Sequence, residues 1–252
     1  MKILKRIVSL SIALASMVTM GGAQERKSKA NFSFSCASWE NVGSDQLYYL
    51  EGKPKKGETE EQSMERLKQV DLSEMTRSLN YAFEGGQKIT FYRKTVAGVQ
   101  PVNTATVPSS WKRVLFVFFP GEKKGSYKLM PLRDDRSHAP YGSYQFVNLS
   151  SLEINGGIGK TRISIKPKKN QIVKFTGDKS RSLNFGVWAS VEGKKQWLQR
   201  NTLTYKPQKY LVYFFYPTVD ARGRVKVKSK GIVEFRPSPV EGERLRELAA
   251  TH

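Results

Sequence analysis

The chain of 252 residues carries 43 Lys and Arg against 22 Asp and Glu, a net charge of +21, with one cysteine and two histidines. The lone Cys36 excludes an internal disulfide, and one thiol with His138 and His252 cannot build a four-ligand zinc site. The same scarcity confines any Ser-His-Asp or Cys-His chemistry to His138, because His252 is the last residue.

At the start of the chain, Lys2, Lys5 and Arg6 precede an uncharged run from Ile7 to Met20, and Gly21-Gly22-Ala23 follow. This is the three-part layout of a secretory signal peptide. The uncharged run has 14 residues, short of the roughly 20 that cross a bilayer as a helix. Residues 1–23 are therefore expected to be removed, leaving an exported protein, periplasmic or secreted, with a net charge of +18 once Lys2, Lys5 and Arg6 are gone. No later segment is apolar enough to span a membrane. Cys36, close to Phe32 and Phe34, reads as a small buried side chain in a strand.

The rest of the chain is organised by apparent self-similarity. Lys53-Pro54-Lys55-Lys56 returns as Lys166-Pro167-Lys168-Lys169, and Arg77-Ser78-Leu79-Asn80 returns as Arg181-Ser182-Leu183-Asn184. Asn31 to Ser35 resembles Tyr144 to Asn148, and the aromatic run Arg113 to Pro120 resembles Tyr210 to Pro217. Four markers in one order predict a tandem duplication. On these markers the first unit carries extra residues within Gly57 to Glu74, where Met64 and Leu67, three apart, suggest a short surface helix or a loose excursion.

Strand signals dominate both halves. Ile89 and Phe91, Ile163 and Ile165, and Leu183, Phe185 and Val187 alternate with polar neighbours, with Gly85-Gly86, Asn155-Gly156-Gly157 and Glu192-Gly193 as turn signals. The two aromatic runs do not alternate, so they read as central strands covered on both faces. The segment Asn155-Gly156-Gly157-Ile158-Gly159-Lys160-Thr161 imitates part of a phosphate-binding loop. It has Ile154 where that motif needs a glycine, and strand signals flank it, so it reads as a hairpin turn.

The expected fold is mostly β: two tandem antiparallel β-sandwich units related by duplication, residues 24–132 and 144–237. Residues 133–143 form a linker between them, and residues 238–252 a short C-terminal helix opened by Ser238-Pro239. Trp111 through Leu132, Pro140 to Asn148, and Val212 to Val225 resemble a group of exported bacterial proteins of predicted β-sandwich fold and no known activity. The resemblance implies export and fold; it brings no activity, ligand or catalytic residue.

Charge is regional and phased. Residues 160–230 hold 18 Lys or Arg against Asp178, Glu192 and Asp220, a net of +15, while residues 24–159 net +4. Arg222, Arg224, Lys226, Lys228 and Lys230 fall on every second residue, so an extended strand puts all five on one face over about 27 Å. Lys160, Arg162, Lys166 and Lys168 are phased in the same way around Ile163 and Ile165. Such rows either solubilise an outer sheet face or bind an anionic envelope polymer or lipid head groups. The aromatic residues, Trp39, Trp111, Trp188 and Trp197 among them, are either core or stacking surfaces, and sequence does not sort them.

Three functional readings stand at this point. The first is an exported, non-enzymatic protein that binds an acidic cell-envelope component through its basic second unit. The second is a small hydrolase using His138 with Asp134 or Asp135, and the third is a structural module for protein contacts. No cofactor, metal or specific nucleic-acid reading arises.

Overall fold

The computed structural model describes residues 31–40, 46–52, 57–96, 98–123, 125–191, 193–221 and 225–238. The expected signal peptide and all but the first residue of the expected C-terminal helix lie outside them. No described helix is long and apolar enough to cross a membrane.

The first unit runs β1 (Phe32–Ser38), β2 (Leu47–Leu50), α1 (Glu60–Glu65), β3 (Leu67–Val70), β4 (Tyr81–Phe83), β5 (Lys88–Thr95), β6 (Gly98–Thr106), β7 (Arg113–Pro120) and β8 (Tyr127–Arg133). The second runs β9 (Ser143–Asn148), β10 (Ile154–Ile158), β11 (Thr161–Ile165), β12 (Asn170–Lys174), β13 (Arg181–Val191), β14 (Lys194–Tyr205), β15 (Lys209–Val219) and β16 (Val225–Phe235). They form four sheets, ordered β4-β1-β7-β8 and β3-β2-β5-β6 in one unit, β12-β9-β15-β16 and β11-β10-β13-β14 in the other. Every strand of the second unit thus occupies the place of the strand eight earlier. All pairings are antiparallel except β1 with β7 and β9 with β15, so the single parallel pair is itself repeated.

The duplication is real, yet only some of its markers are equivalent. Arg113 to Pro120 is β7, and Tyr210 to Pro217 lies in β15, the matching strand. Val114, Phe116 and Phe118 enter the core of unit one just as Leu211, Tyr213 and Phe215 enter that of unit two. In contrast, Arg77-Ser78-Leu79-Asn80 precedes β4, whereas Arg181-Ser182-Leu183-Asn184 opens β13, the counterpart of β5. That tetrapeptide match is a coincidence of composition. Lys53-Pro54-Lys55-Lys56 lies outside the described residues.

The largest divergence is the connection between the second and third strands, residues 51–66 in unit one but only Gly159-Lys160 in unit two. In the long connection Thr59 accepts from Gln62 N–H while the Gln62 side chain accepts from Thr59 N–H, a reciprocal cap that starts α1. Leu67, expected on the same helix as Met64, instead pairs with Leu50 at the start of β3. Six helical residues are too few to hold out against a sheet edge that satisfies the backbone of the next four.

Each unit has an aromatic core between its sheets. In the first, Phe34 lies 5.0 to 5.9 Å from the rings of Tyr49, Tyr81, Phe91 and Phe116. In the second, Phe146 stacks on Phe185 at 5.6 Å. A fully buried ring of this kind contributes about 1.5–3 kcal/mol by leaving water. A third cluster joins the units: Trp39, Leu115, Val117 and Phe119 meet Val147, Tyr210, Val212, Phe214 and Ile232. The opposite faces of β7 and β15 are therefore buried as well, which is why their sequences show no alternation.

Candidate functional site

The sheet β11-β10-β13-β14 has one face in the core and the other outward. Ile163, Ile165, Ile154, Ile158, Leu183, Phe185 and Val187 point inward, so the intervening residues point out. Its four strands contain Arg162, Arg181, Lys194, Lys195 and Arg200 and no carboxylate.

The ladder places Arg162 opposite Gly157, Gly157 opposite Gly186, and Gly186 opposite Arg200. A row across the sheet therefore runs arginine, glycine, glycine, arginine, with the end residues about 14 Å apart at ~4.8 Å per strand. The neighbouring row is Ser164, Asn155, Trp188 and Trp197.

Trp197 and Arg200 share this face because of a β-bulge. The register shifts beside Val187 and Trp188, so that Leu198 is an extra residue opposite them. Leu198 packs toward the core and the Gln199 side chain accepts from Ser229 Oγ at 2.9 Å, so both turn inward. Trp197 on one side of the pair and Arg200 on the other remain outward. A Cβ placed on Gly186 would stand 3.2 Å from Trp197 Cζ3, so the indole leans over that glycine.

Trp197 is 44 % exposed. The Arg200 guanidinium lies 4.4 Å from its ring centre, and Lys195 Nζ lies 4.4 Å from Trp197 and 4.8 Å from Trp188. Cations held against rings keep their charge at a fixed place on the surface. Nothing local in the sequence marks the bulge, so simple alternation puts Trp197 and Arg200 on opposite faces. This is why alternation does not bring Arg200 together with Trp197, which the sequence offers only as either core or stacking surface.

The predicted cationic rows separate in the structure. Arg162 is exposed on β11, with Lys160 and Lys166 in the turns on either side of that strand. Lys168 sits in a turn at φ +59°, where its ammonium is bonded to the Leu149 carbonyl. Lys226, Lys228 and Lys230 lie on β16, an edge of the other sheet of the unit, and β11 and β16 are at opposite sides of the sandwich. The two rows therefore do not share one sheet face. Lys226 is 3.5 Å from Asp220, and Lys230 reaches the first unit, 2.8 Å from both Glu74 and the Trp39 carbonyl. Arg222 and Arg224 lie outside the described residues.

The segment around His138 is a junction of buried charge. Asp134, 1 % exposed, receives paired bonds from Arg77 at 2.8 Å and further bonds from Arg136 at 3.1 and 3.2 Å. Glu234 of β16 meets Arg77, Arg113 and Arg136 at 2.6 to 3.2 Å and accepts from Tyr141 Oη at 2.7 Å. Asp135 accepts from the Lys112 and Arg113 N–H groups and from Arg133. Both carboxylates offered to His138 as catalytic partners are thus engaged by other donors. Partial burial, with Arg133 beside it, holds the His138 imidazole below its ordinary pKa.

Elsewhere, a cleft of about 690 Å³ at one end of unit one is lined by Phe32, Gln87, Pro108, Trp111 and Lys112 among others. It brings together no paired reactive groups. No protein-family model and no curated protein matches the chain.

Proposed function

We propose that the protein is exported by a cleavable signal peptide and acts without catalysis, binding an acidic component of the cell envelope through the outer face of the β11-β10-β13-β14 sheet. The observation that carries this reading is the row of Arg162, Gly157, Gly186 and Arg200, with Trp197 and Lys195 beside it and no carboxylate in those four strands. Positive charge predominates on this sheet face, with the Glu153 carboxylate bonded to Ser164 Oγ at its β11 edge, and such an excess attracts polyanions by releasing their counterions. Lys160 and Lys166 extend the field at the ends of β11.

Retention on immobilised heparin and lipopolysaccharide at increasing salt tests this. The parent is expected to stay bound near physiological salt and to weaken steeply as salt rises. Arg162→Glu with Arg200→Glu should lower the eluting salt much more than Lys123→Glu with Lys128→Glu in unit one, although both pairs change net charge equally. Exposed strand positions tolerate such changes within about 0.5 kcal/mol, so folding should survive. Equal loss in the two variants would reduce the effect to net charge. Export is checked separately: the amino terminus of the protein recovered outside the cytoplasm should be Gln24.

A further inference from the structure

We propose that the polymer taken by this face is an acidic polysaccharide, a chain of sugar rings bearing carboxylates, laid across the strands along the row from Arg162 to Arg200. The inference rests on the polyanion reading above and narrows it to one chemistry.

Three features of the row carry it. Gly157 and Gly186 face each other on the two central strands, so the stretch between the flanking arginines holds no side chain of their own and is entered by the Trp197 indole over Gly186. Glycine inside a strand often marks a bulge or a close approach to the backbone, and at Gly186, beside the bulge, the approaching group is the Trp197 indole that forms the floor of the row. Next, neutral hydrogen-bonding groups flank the row: Asn155 on one side, beside Ser164 whose hydroxyl donates to Glu153 at 3.0 Å, and Asn184 and Thr202, which pair with each other, on the other. Amides and hydroxyls can both donate to and accept from the hydroxyls of a sugar, whereas the oxygens of a polyphosphate only accept, so the acceptor half of these groups is matched by sugar alone.

Finally, charge and stacking surface adjoin: the two cations lie over part of the Trp197 ring, and a sugar would meet the part of the indole, 44 % exposed, that they leave uncovered. Arg200 and Lys195 stand 4.4 Å from the centre of the Trp197 ring. In a uronic acid the carboxylate is attached to the very ring whose C–H face would lie on an indole. In a nucleotide, the sugar separates the stacking base from the phosphate. Arginine also matches a carboxylate in paired, planar geometry.

The test uses the whole secreted protein and three immobilised probes at one salt concentration: polygalacturonate, polyphosphate and single-stranded oligothymidylate. Polygalacturonate should bind tightest. Trp197→Ala should weaken polygalacturonate binding about tenfold, the low end of what losing one aromatic platform does to a stacked nucleic-acid base, while changing polyphosphate binding less than twofold. Arg162→Gln with Arg200→Gln should weaken both. Thermal melts of the variants confirm that each is folded, and Trp197→Tyr should restore most of the lost affinity. The inference is overturned if Trp197→Ala leaves polygalacturonate binding unchanged, or if oligothymidylate binds more tightly and depends more on Trp197. Binding to none of the three would refute the polyanion reading itself, which is a different result from binding all three without regard to Trp197.

Discussion

Asp134 shows how far a single side chain can depart from its local reading. Beside Asp135 and near His138 it has the composition of a catalytic site, yet its partners include Arg77, 57 positions away, and Arg113 on β7, with only Arg136 close to it in sequence. No short-range pattern announces partners at such separation, so only the presence of the acid pair was legible. Removing one member of a buried ion cluster leaves the others uncompensated. Asp134→Ala should therefore destabilise the protein by about 3–5 kcal/mol in urea unfolding at neutral pH. The pH dependence has a definite sign. Burial alone would raise the Asp134 and Glu234 pKa values, but the attraction of Arg77, Arg136 and Arg113 outweighs it and holds both below their ordinary 3.8 and 4.5. Groups depressed in the folded state stabilise it fully above the unfolded pKa and lose that contribution as pH falls. Stability should thus be level above about pH 5 and decline through pH 4 and below. Asp134→Asn should flatten part of that decline, and a parent profile without acid loss would contradict the account.

At the scale of strands, apolar patterning was legible and interruptions of it were not. The unbroken runs of β7 and β15 announced burial on both faces, and the alternation of β5, β11 and β13 announced one. The bulge at Leu198 is silent because one extra residue in β14 changes no composition, although it decides which side chains share the outer face. The false repeat has the same root, since short polar tetrapeptides recur without any packing constraint to make them equivalent. Gly186 permits a test of this element. Its strand position favours a β-branched side chain on propensity, but a Cβ there would stand 3.2 Å from Trp197. Gly186→Val should leave stability within about 1 kcal/mol while pushing the indole outward. Acrylamide quenching of tryptophan fluorescence should rise and retention on acidic polymers should fall. Unchanged quenching would mean that the ring does not depend on the glycine.

For the molecule as a whole, duplication was legible but its consequence was not. The sheets containing β7 and β15 face each other, and equivalent residues of the two units meet. Phe119 stacks on Tyr216 at 5.4 Å with the rings 6° from parallel, and these are the matching positions just before Pro120 and Pro217. Equivalent residues in mutual contact are the pattern of a self-complementary two-fold interface, here joined into one chain. Trp39 adds rings from the first unit against Phe214 at 6.0 Å and Tyr216 at 4.9 Å. The charged junction of Arg77, Arg113, Arg136, Asp134 and Glu234 also joins residues of both units. An interface that buries large aromatic side chains from both partners makes separate unfolding expensive, because either unit alone would expose that apolar face to water. The units should consequently unfold together: far-ultraviolet circular dichroism and tryptophan fluorescence should trace one coincident transition in denaturant. Phe214→Ala, which empties the centre of this third cluster, should cost about 3–5 kcal/mol, and the transition should remain single or split so that the second unit melts first. Two well-separated transitions in the parent protein would show that the interface contributes little, and the first unit expressed alone should then be soluble and monomeric, where the packing described here requires it to associate through Trp39, Leu115, Val117 and Phe119.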